Sequence, residues 1–261
     1  ELMETRFGFS VTFGDCEVLY HETIEDTVHA CGHFEPLRHY AEVHFLLSPG
    51  PRGSGITFES RCPLDVLEKS WQNLIRTHVF EKEHKGVLLG APLTDVKVTL
   101  LTGRAHLKHT EGGDFREAVY RAIRQGLMHA KSRVLEPWCA FSAAVPQEYA
   151  GRVMADVQRL YGTFSPPVQE GETAVIEGRA PVSTFLNYQR ELTAFTRGRG
   201  SVSIRFDGCE PCHNEAEVIA ARGYQPEADT ENPAGSVFCS HGAGYYVPWQ
   251  EAESHMHCEW K

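Results

Sequence analysis

Three short runs near the end of the 261-residue chain concentrate soft metal ligands. They are Cys209-Glu210-Pro211-Cys212-His213, Cys239-Ser240-His241 and His255-Met256-His257-Cys258. Thiolate and imidazole in groups of four are what a tetrahedral zinc ion takes, and a stretch with little apolar periodicity can be ordered by such an ion. Cys209, Cys212, Cys239 and His241 are therefore candidate ligands of a structural zinc. The competing reading is free buried thiols and hydrogen-bonded imidazoles. A redox role for the Cys-x-x-Cys lacks the βαβ context that such motifs have. Upstream, His29, Cys31 and His33 alternate, which lines them along one face of a strand.

A second concentration of chemistry lies between Leu101 and Arg133. Arg104, Lys108, Arg116, Arg121, Arg124, Lys131 and Arg133 face only Glu111, Asp114 and Glu117, with His106, His109 and His129 interspersed. A basic, histidine-bearing loop between a strand and a helix suits contacts to a phosphate backbone. The bland alternative is a solvated helix face with pairs such as Glu117 and Arg121 four residues apart. Reaction chemistry is absent by motif. There is no phosphate-cradling G-x-x-x-x-G-K-[ST], no G-x-G-x-x-G after a strand, no H-E-x-x-H and no G-x-S-x-G. A zinc enzyme built on the tail would need an open coordination position and a base, and no helix presents ligands at i and i+4.

Composition sets the bounds. Hydrophobic content of 41% is that of a globular chain, and 261 residues suggest two domains. No apolar run reaches the roughly 18 to 20 residues that span a bilayer. Eight cysteines without a signal peptide point to a reducing, cytoplasmic compartment. Glu at position 1 suggests a chain cut from something longer. The net charge of −10 argues against nucleic acid if it is uniform, but it is not. From Asp207 onward ten acidic residues meet only Arg222 and Lys261.

The elements that must position these residues follow from periodicity. Strands are predicted over 7–20, around Val43, Phe45 and Leu47, over 56–60, and over 95–101. Helices are predicted from Pro63 to Glu83 and after Asp114, with 103–113 as a turn. After Glu136-Pro137 the order is strand 138–145, a helix from Pro146, strands near 162–168 and 173–180, helix 182–192 and a strand through Val202, Ile204 and Phe206. That β-α-β-β-α-β order is the ferredoxin-like split βαβ. Asn214 and Glu217 open a short helix that ends near Gly223, and the rest to Lys261 has no clear period.

Pro92-Leu93-Thr94-Asp95-Val96-Lys97-Val98-Thr99-Leu100 resembles the signature that leads into the tip of domain IV in elongation factor G. Val18 to Ile24 resembles that family's junction of domains III and IV, with His21 where Arg is usual. Gly50 to Gly55 and Phe58-Glu59-Ser60 resemble its next turn and strand. Leu135-Glu136-Pro137 and Val145 to Tyr149 resemble the start of domain V, and Thr196 to Gly200 the segment before its last strand. Ser60 to Asn73 and Tyr188 to Thr193 look closest to the tetracycline-resistance ribosomal protection proteins.

The resemblance implies an α+β chain: a ribosomal protein S5 domain 2-like βαβ domain, a ferredoxin-like βαββαβ domain and a Cys/His-containing tail. Residues 1–24 would be the remnant of domain III and a linker, 25–133 domain IV, 134–207 domain V and 208–261 an extension. It implies a cytoplasmic ribosome-binding module, touching rRNA of both subunits and ribosomal proteins, with no membrane partner; a monomer is expected, though no motif in the sequence fixes the oligomeric state. This fragment would hold no cofactor beyond the zinc considered above. The parent would be a GTPase using GTP and Mg. The tip that enters the decoding centre would comprise Arg38, His39 and Tyr40 from one loop and Arg104, His106, Lys108 and His109 from the other. Here the first loop, Glu35 to Tyr40, lacks the family's glycines. His106-Leu107-Lys108 stands where protection proteins often carry Tyr-Ser-Pro, which leaves elongation and drug protection both open. The alternative of another class is a tail-based zinc protein or zinc enzyme unrelated to translation.

Overall fold

In a computed structural model of the chain, residues 2–10, 12 and 17–259 are described. In chain order the elements are α1 (Leu2–Phe7), β1 (His21–Ile24), β2 (Val28–Phe34), β3 (Ala41–Pro49), β4 (Ile56–Ser60), α2 (Lys69–Phe80), β5 (Val96–Ala105) and α3 (Gly112–His129). There follow β6 (Ser132–Pro146), α4 (Ala150–Arg159), β7 (Thr163–Phe164), β8 (Val168–Glu170), β9 (Thr173–Pro181), α5 (Val182–Phe185), α6 (Tyr188–Phe195) and β10 (Ser201–Pro211). The chain then forms α7 (Glu215–Arg222), β11 (Ser236–Ser240) and β12 (Ala243–Val247). They build two sheets. One runs β12-β11-β2-β3-β5-β4, and the other is organised on β6, between β10 on one side and β9 on the other.

The first sheet explains its own alternation. Ala41, Val43, Phe45 and Leu47 of β3 point to one side, where Phe115, Val119, Ala122 and Ile123 of α3 bury them. Each such large side chain contributes roughly 1.5–3 kcal/mol by leaving water. Gly32 is required on this side, because a Cβ there would lie 2.1 Å from the Ala118 carbonyl oxygen. β4 and β5 pair in parallel with α2 between them, the βαβ crossover. Asp114 accepts the Glu111 N–H at 2.8 Å and so fixes the start of α3.

The second sheet carries the βαββαβ order, with α4, α5 and α6 on one face. Phe141, Ala143, Val145 and Ile176 of its strands pack with Val153, Val157, Phe185 and Leu192 of the helices. Its other face, through Trp138, Ala140, Ser142, Glu177 and Arg179, is only partly covered.

Several expectations change. Phe7 ends a helix, and 8–10 and 17–20 are irregular, while Val11 and Phe13 of the strand expected there lie outside the described residues. The helix expected from Pro63 starts at Lys69. Pro63 to Leu67 makes a single backbone turn, with the Val66 and Leu67 N–H groups on the Pro63 carbonyl, and Gln72 of α2 reaches back to the carbonyls of Cys62 and Leu67 at 3.0 and 2.8 Å. Strand β5 runs through Gly103 to Ala105, so the turn begins only at His106. Described residues of the segment expected as an extension join both sheets. β10 runs on to Pro211 against β6, α7 ends on Gly223 at φ 60°, and the β11–β12 hairpin adds to the first sheet, β11 lying parallel to β2.

Candidate ribosome-facing tip and the tail behind it

The two loops proposed as a tip meet at one end of the first sheet. Residues 35–40 join β2 to β3, and 106–111 join β5 to α3. Thr110 clasps them: its hydroxyl donates to the Tyr40 carbonyl at 2.6 Å and accepts the His106 N–H at 2.6 Å. Within the second loop the Thr110 N–H returns to the His106 carbonyl at 3.0 Å, the His106 and His109 rings stack 4.4 Å apart, and Leu107 stands fully exposed. In the first loop the His39 N–H bonds the Pro36 carbonyl at 2.9 Å, and Arg38 sits at φ 66°. That is the position in such a turn where glycine is ordinarily needed. The loop keeps a glycine-type bend without a glycine, at some cost in backbone strain.

Of the expected tip residues, Arg38, Arg104, His106, Lys108 and His109 are exposed. Arg38, Arg104 and Lys108 have no ion pair with a described residue. The other two are engaged within the protein. His39 is held by Asp114 at 2.8 Å, and Tyr40 is buried, with its hydroxyl 3.2 Å from His257 Nδ1. Much of the basic stretch is also spent internally. Arg116 bonds Glu81, Arg133 bonds Glu25 and Glu215, and Lys131 bonds Glu25. Arg121 reaches the Gly235 carbonyl, and buried Arg124 takes the carbonyls of Lys85 and Gly86. Glu81, which Tyr120, Arg116 and His78 all contact, is pulled down to about 2 against the opposing effect of its own burial. Within the two loops and the strand end beside them, the cations without an ion pair to a described residue are Arg38, Arg104 and Lys108.

The expected zinc ligands are not brought together. Cys209 and Cys212 belong to the second sheet's side of the molecule: Cys209 lies 3.8 Å from His21 Nδ1, and Cys212 bonds Asn214. Cys239 is on β11, at the first sheet, and His241 is in the β11–β12 turn at φ 51°. Sequence proximity misled because the two halves of the motif end on different sheets.

What the sequence signalled and the nominated set left out is the H-x-H-C run. After β12 the chain crosses the face of the first sheet opposite α3 and covers the alternating polar residues there. His33 Nδ1 bonds Glu42 Oε2 at 2.8 Å, and His44 Nε2 bonds Glu42 Oε1 at 2.8 Å. His29 Nε2 meets His44 Nδ1 at 3.1 Å. The backbone N–H groups of His257 and Cys258 both donate to Glu42, at 2.9 and 2.7 Å. Glu42, His33 and His44 are fully buried. Burial opposes ionisation of Glu42, yet these four donors overcome it and hold the carboxyl far below its ordinary range. Burial, then Glu42, pushes the Cys258 thiol up to about 12, and burial pushes Cys212 up to about 11. Thiols held neutral in this way are poor nucleophiles near pH 7.

Comparison with known proteins agrees with the geometry. Residues 16–131 match the family model of elongation factor G domain IV, and residues 133–219 match that of the elongation factor G C-terminus. The chain is 30% identical over 225 residues to tetracycline resistance protein TetP of Clostridium perfringens, covering 85% of this chain and 34% of that protein. It is 28% identical over 233 residues to elongation factor G 1 of Synechocystis, covering 87% and 34%. An elongation factor G-like protein of Thermotoga maritima is 30% identical over 233 residues, covering 85% and 34%. A crystal structure of a Thermus thermophilus protein superimposes with a TM-score of 0.76 at 26% identity, over 83% of this chain and 33% of that one. The chain spans about a third of the length of these curated relatives.

Proposed function

Since this chain belongs to the elongation factor G family through its domain IV and C-terminal domain, we propose that it is the ribosome-engaging part of a translational GTPase. The observation that carries this reading is the clasped pair of loops at the end of the first sheet. They are tied together through Thr110, and they present Arg38, Arg104 and Lys108 without an ion pair to any described residue. Unpaired cations on a preorganised projection suit RNA phosphates. The first sheet is then the arm whose tip enters near the decoding centre, and the second is the domain V that rests on the other subunit. A GTP- and Mg-binding domain belongs to the parent protein, acting in the cytoplasm.

The work of this part is conformational. Binding one ribosomal state more tightly than another shifts the balance between them. Both elongation factors and a tetracycline resistance protein are among the relatives, and the elongation-type reading sits better with His106-Leu107-Lys108 at the tip. Zinc held by Cys209, Cys212, Cys239 and His241 would require the tail to refold, so it has no part in this reading.

Co-sedimentation of the chain with ribosomes over a salt series tests it. Binding is expected to fall steeply as salt rises. The triple change R38A/R104A/K108A is expected to weaken binding at least tenfold without altering the far-ultraviolet circular dichroism. Binding that ignores both salt and the triple change would remove the tip from the reading.

A further inference from the structure

Buried histidines that meet carboxylates on one side and an exposed histidine on the other call for an account beyond ribosome binding. His33 has both ring nitrogens opposite carboxylates: Nδ1 is 2.8 Å from Glu42 and Nε2 is 3.0 Å from Glu35. A neutral imidazole has one proton to donate, so it cannot satisfy both. His257 of the tail lies across this pair, its ring 4.7 Å from that of His33. Its Nδ1 is engaged by Tyr40, and its Nε2 has no hydrogen-bond partner among the described residues. One ligand atom from each of His33, Glu35 and His257 falls within 4.8 Å of the others.

We propose that His33, Glu35 and His257 bind a divalent metal ion of the zinc class, and that this ion pins the C-terminal segment to the arm. Two imidazole nitrogens and one carboxylate oxygen are a zinc-type donor set. A tetrahedral zinc needs its ligand atoms about 3.3 Å apart, which side-chain rotation supplies from the present spacing. Exposed His257 leaves the fourth position to water.

The surroundings are built as a metal site's surroundings are. Two ligands are oriented by a partner behind them, His33 by the buried Glu42 carboxylate and His257 by the Tyr40 hydroxyl, while the Glu35 Oε2 that faces His33 also accepts the Cys239 N–H at 3.3 Å. A carboxylate behind a ligating histidine fixes its tautomer and raises its basicity. Phe238 stacks on His33 at 4.2 Å and closes the apolar side. A neighbouring group of Glu42, His44 and Cys258 also lies within such a distance. Glu42 there is already filled by His33, His44 and two backbone N–H groups, so it serves as support and not as ligand.

The whole chain, purified without a histidine tag and stripped with a chelator, is titrated calorimetrically with zinc chloride. One equivalent is expected to bind, with zinc-dependent protection of the C-terminal segment from carboxypeptidase. Glu35→Gln and His257→Gln, both at accessible positions, are each expected to weaken binding about 100-fold, and Tyr40→Phe about tenfold. Cys258→Ser is expected to leave affinity within about twofold. No zinc binding by the wild type, or retention in E35Q/H257Q, overturns the proposal. Loss in Cys258→Ser overturns this ligand set and moves the ion to Glu42, His44 and Cys258. None of these readouts depends on ribosome binding.

Discussion

The two sheets are built alike on one face and oppositely on the other. Each covers one side with helices packed on apolar residues. The second sheet leaves its other side open: Ala140, Ser142 and Glu177 stay partly hydrated, and Arg179 makes surface ion pairs with Asp207 and Glu210. The first sheet has charged groups on its other side too, but Phe238, His257 and Cys258 close over them. Glu42, His33 and His44 are fully buried as a result. Similar chemistry therefore has a different weight in the two places. Exposed pairs are screened and worth little, whereas a buried carboxylate with four donors cannot lose its place without leaving them unsatisfied.

The sharpest way to break that contrast is Glu42→Ala. It strands His33, His44 and two backbone N–H groups, and urea unfolding is expected to show a loss of about 3–5 kcal/mol. A loss under about 1 kcal/mol would mean the tail does not seat on the arm. An intermediate case is Glu81, which ties α2 to α3 through His78, Arg116 and Tyr120. Glu81→Gln is expected to cost roughly 1–3 kcal/mol at pH 7. Because its folded value is lowered to about 2, that stability is complete above the ordinary carboxylate value of 4.5 and is lost as pH falls toward 2. Melting curves of wild type and variant should therefore converge on acidification, and divergence would refute the assignment. Smallest is Arg179→Ala on the open face, expected to change stability by less than about 1 kcal/mol. Comparing its unfolding free energy with that of Glu42→Ala measures the contrast directly.

What the sequence made legible follows from the same contrast. Period-two alternation in Val43, Phe45 and Leu47 and the 3.6 period of Phe115 to Leu127 report burial against a helix, which is local in the chain. The βαββαβ order was readable for that reason. So was the shared strand face of His29, Cys31 and His33. The tail was not, because β11 is a five-residue strand whose partner β2 lies some 200 residues earlier. Its short hairpin shows no period long enough to read. At the tip, charge counting overestimated what is presented. Arg116, Arg121, Arg124 and Arg133 are committed to Glu81, Gly235, Gly86 and Glu215, and no spacing rule reveals a long-range partner. Tyr40 read as a surface residue because its cover comes from His257, 217 positions away.

The closing of Glu42 by the N–H groups of His257 and Cys258 also sets an order in time. Strands β2 and β3 leave the ribosome's exit tunnel more than 200 residues before the backbone that completes them, since His257 follows Glu42 by 215 positions. Domains form as they emerge, so the second domain can be finished while the first still shows a wet, charged flank. The polar face of the first sheet is covered only when the segment around His257 returns to Glu42. A nascent chain stalled before residue 257 would therefore expose an unfinished first sheet.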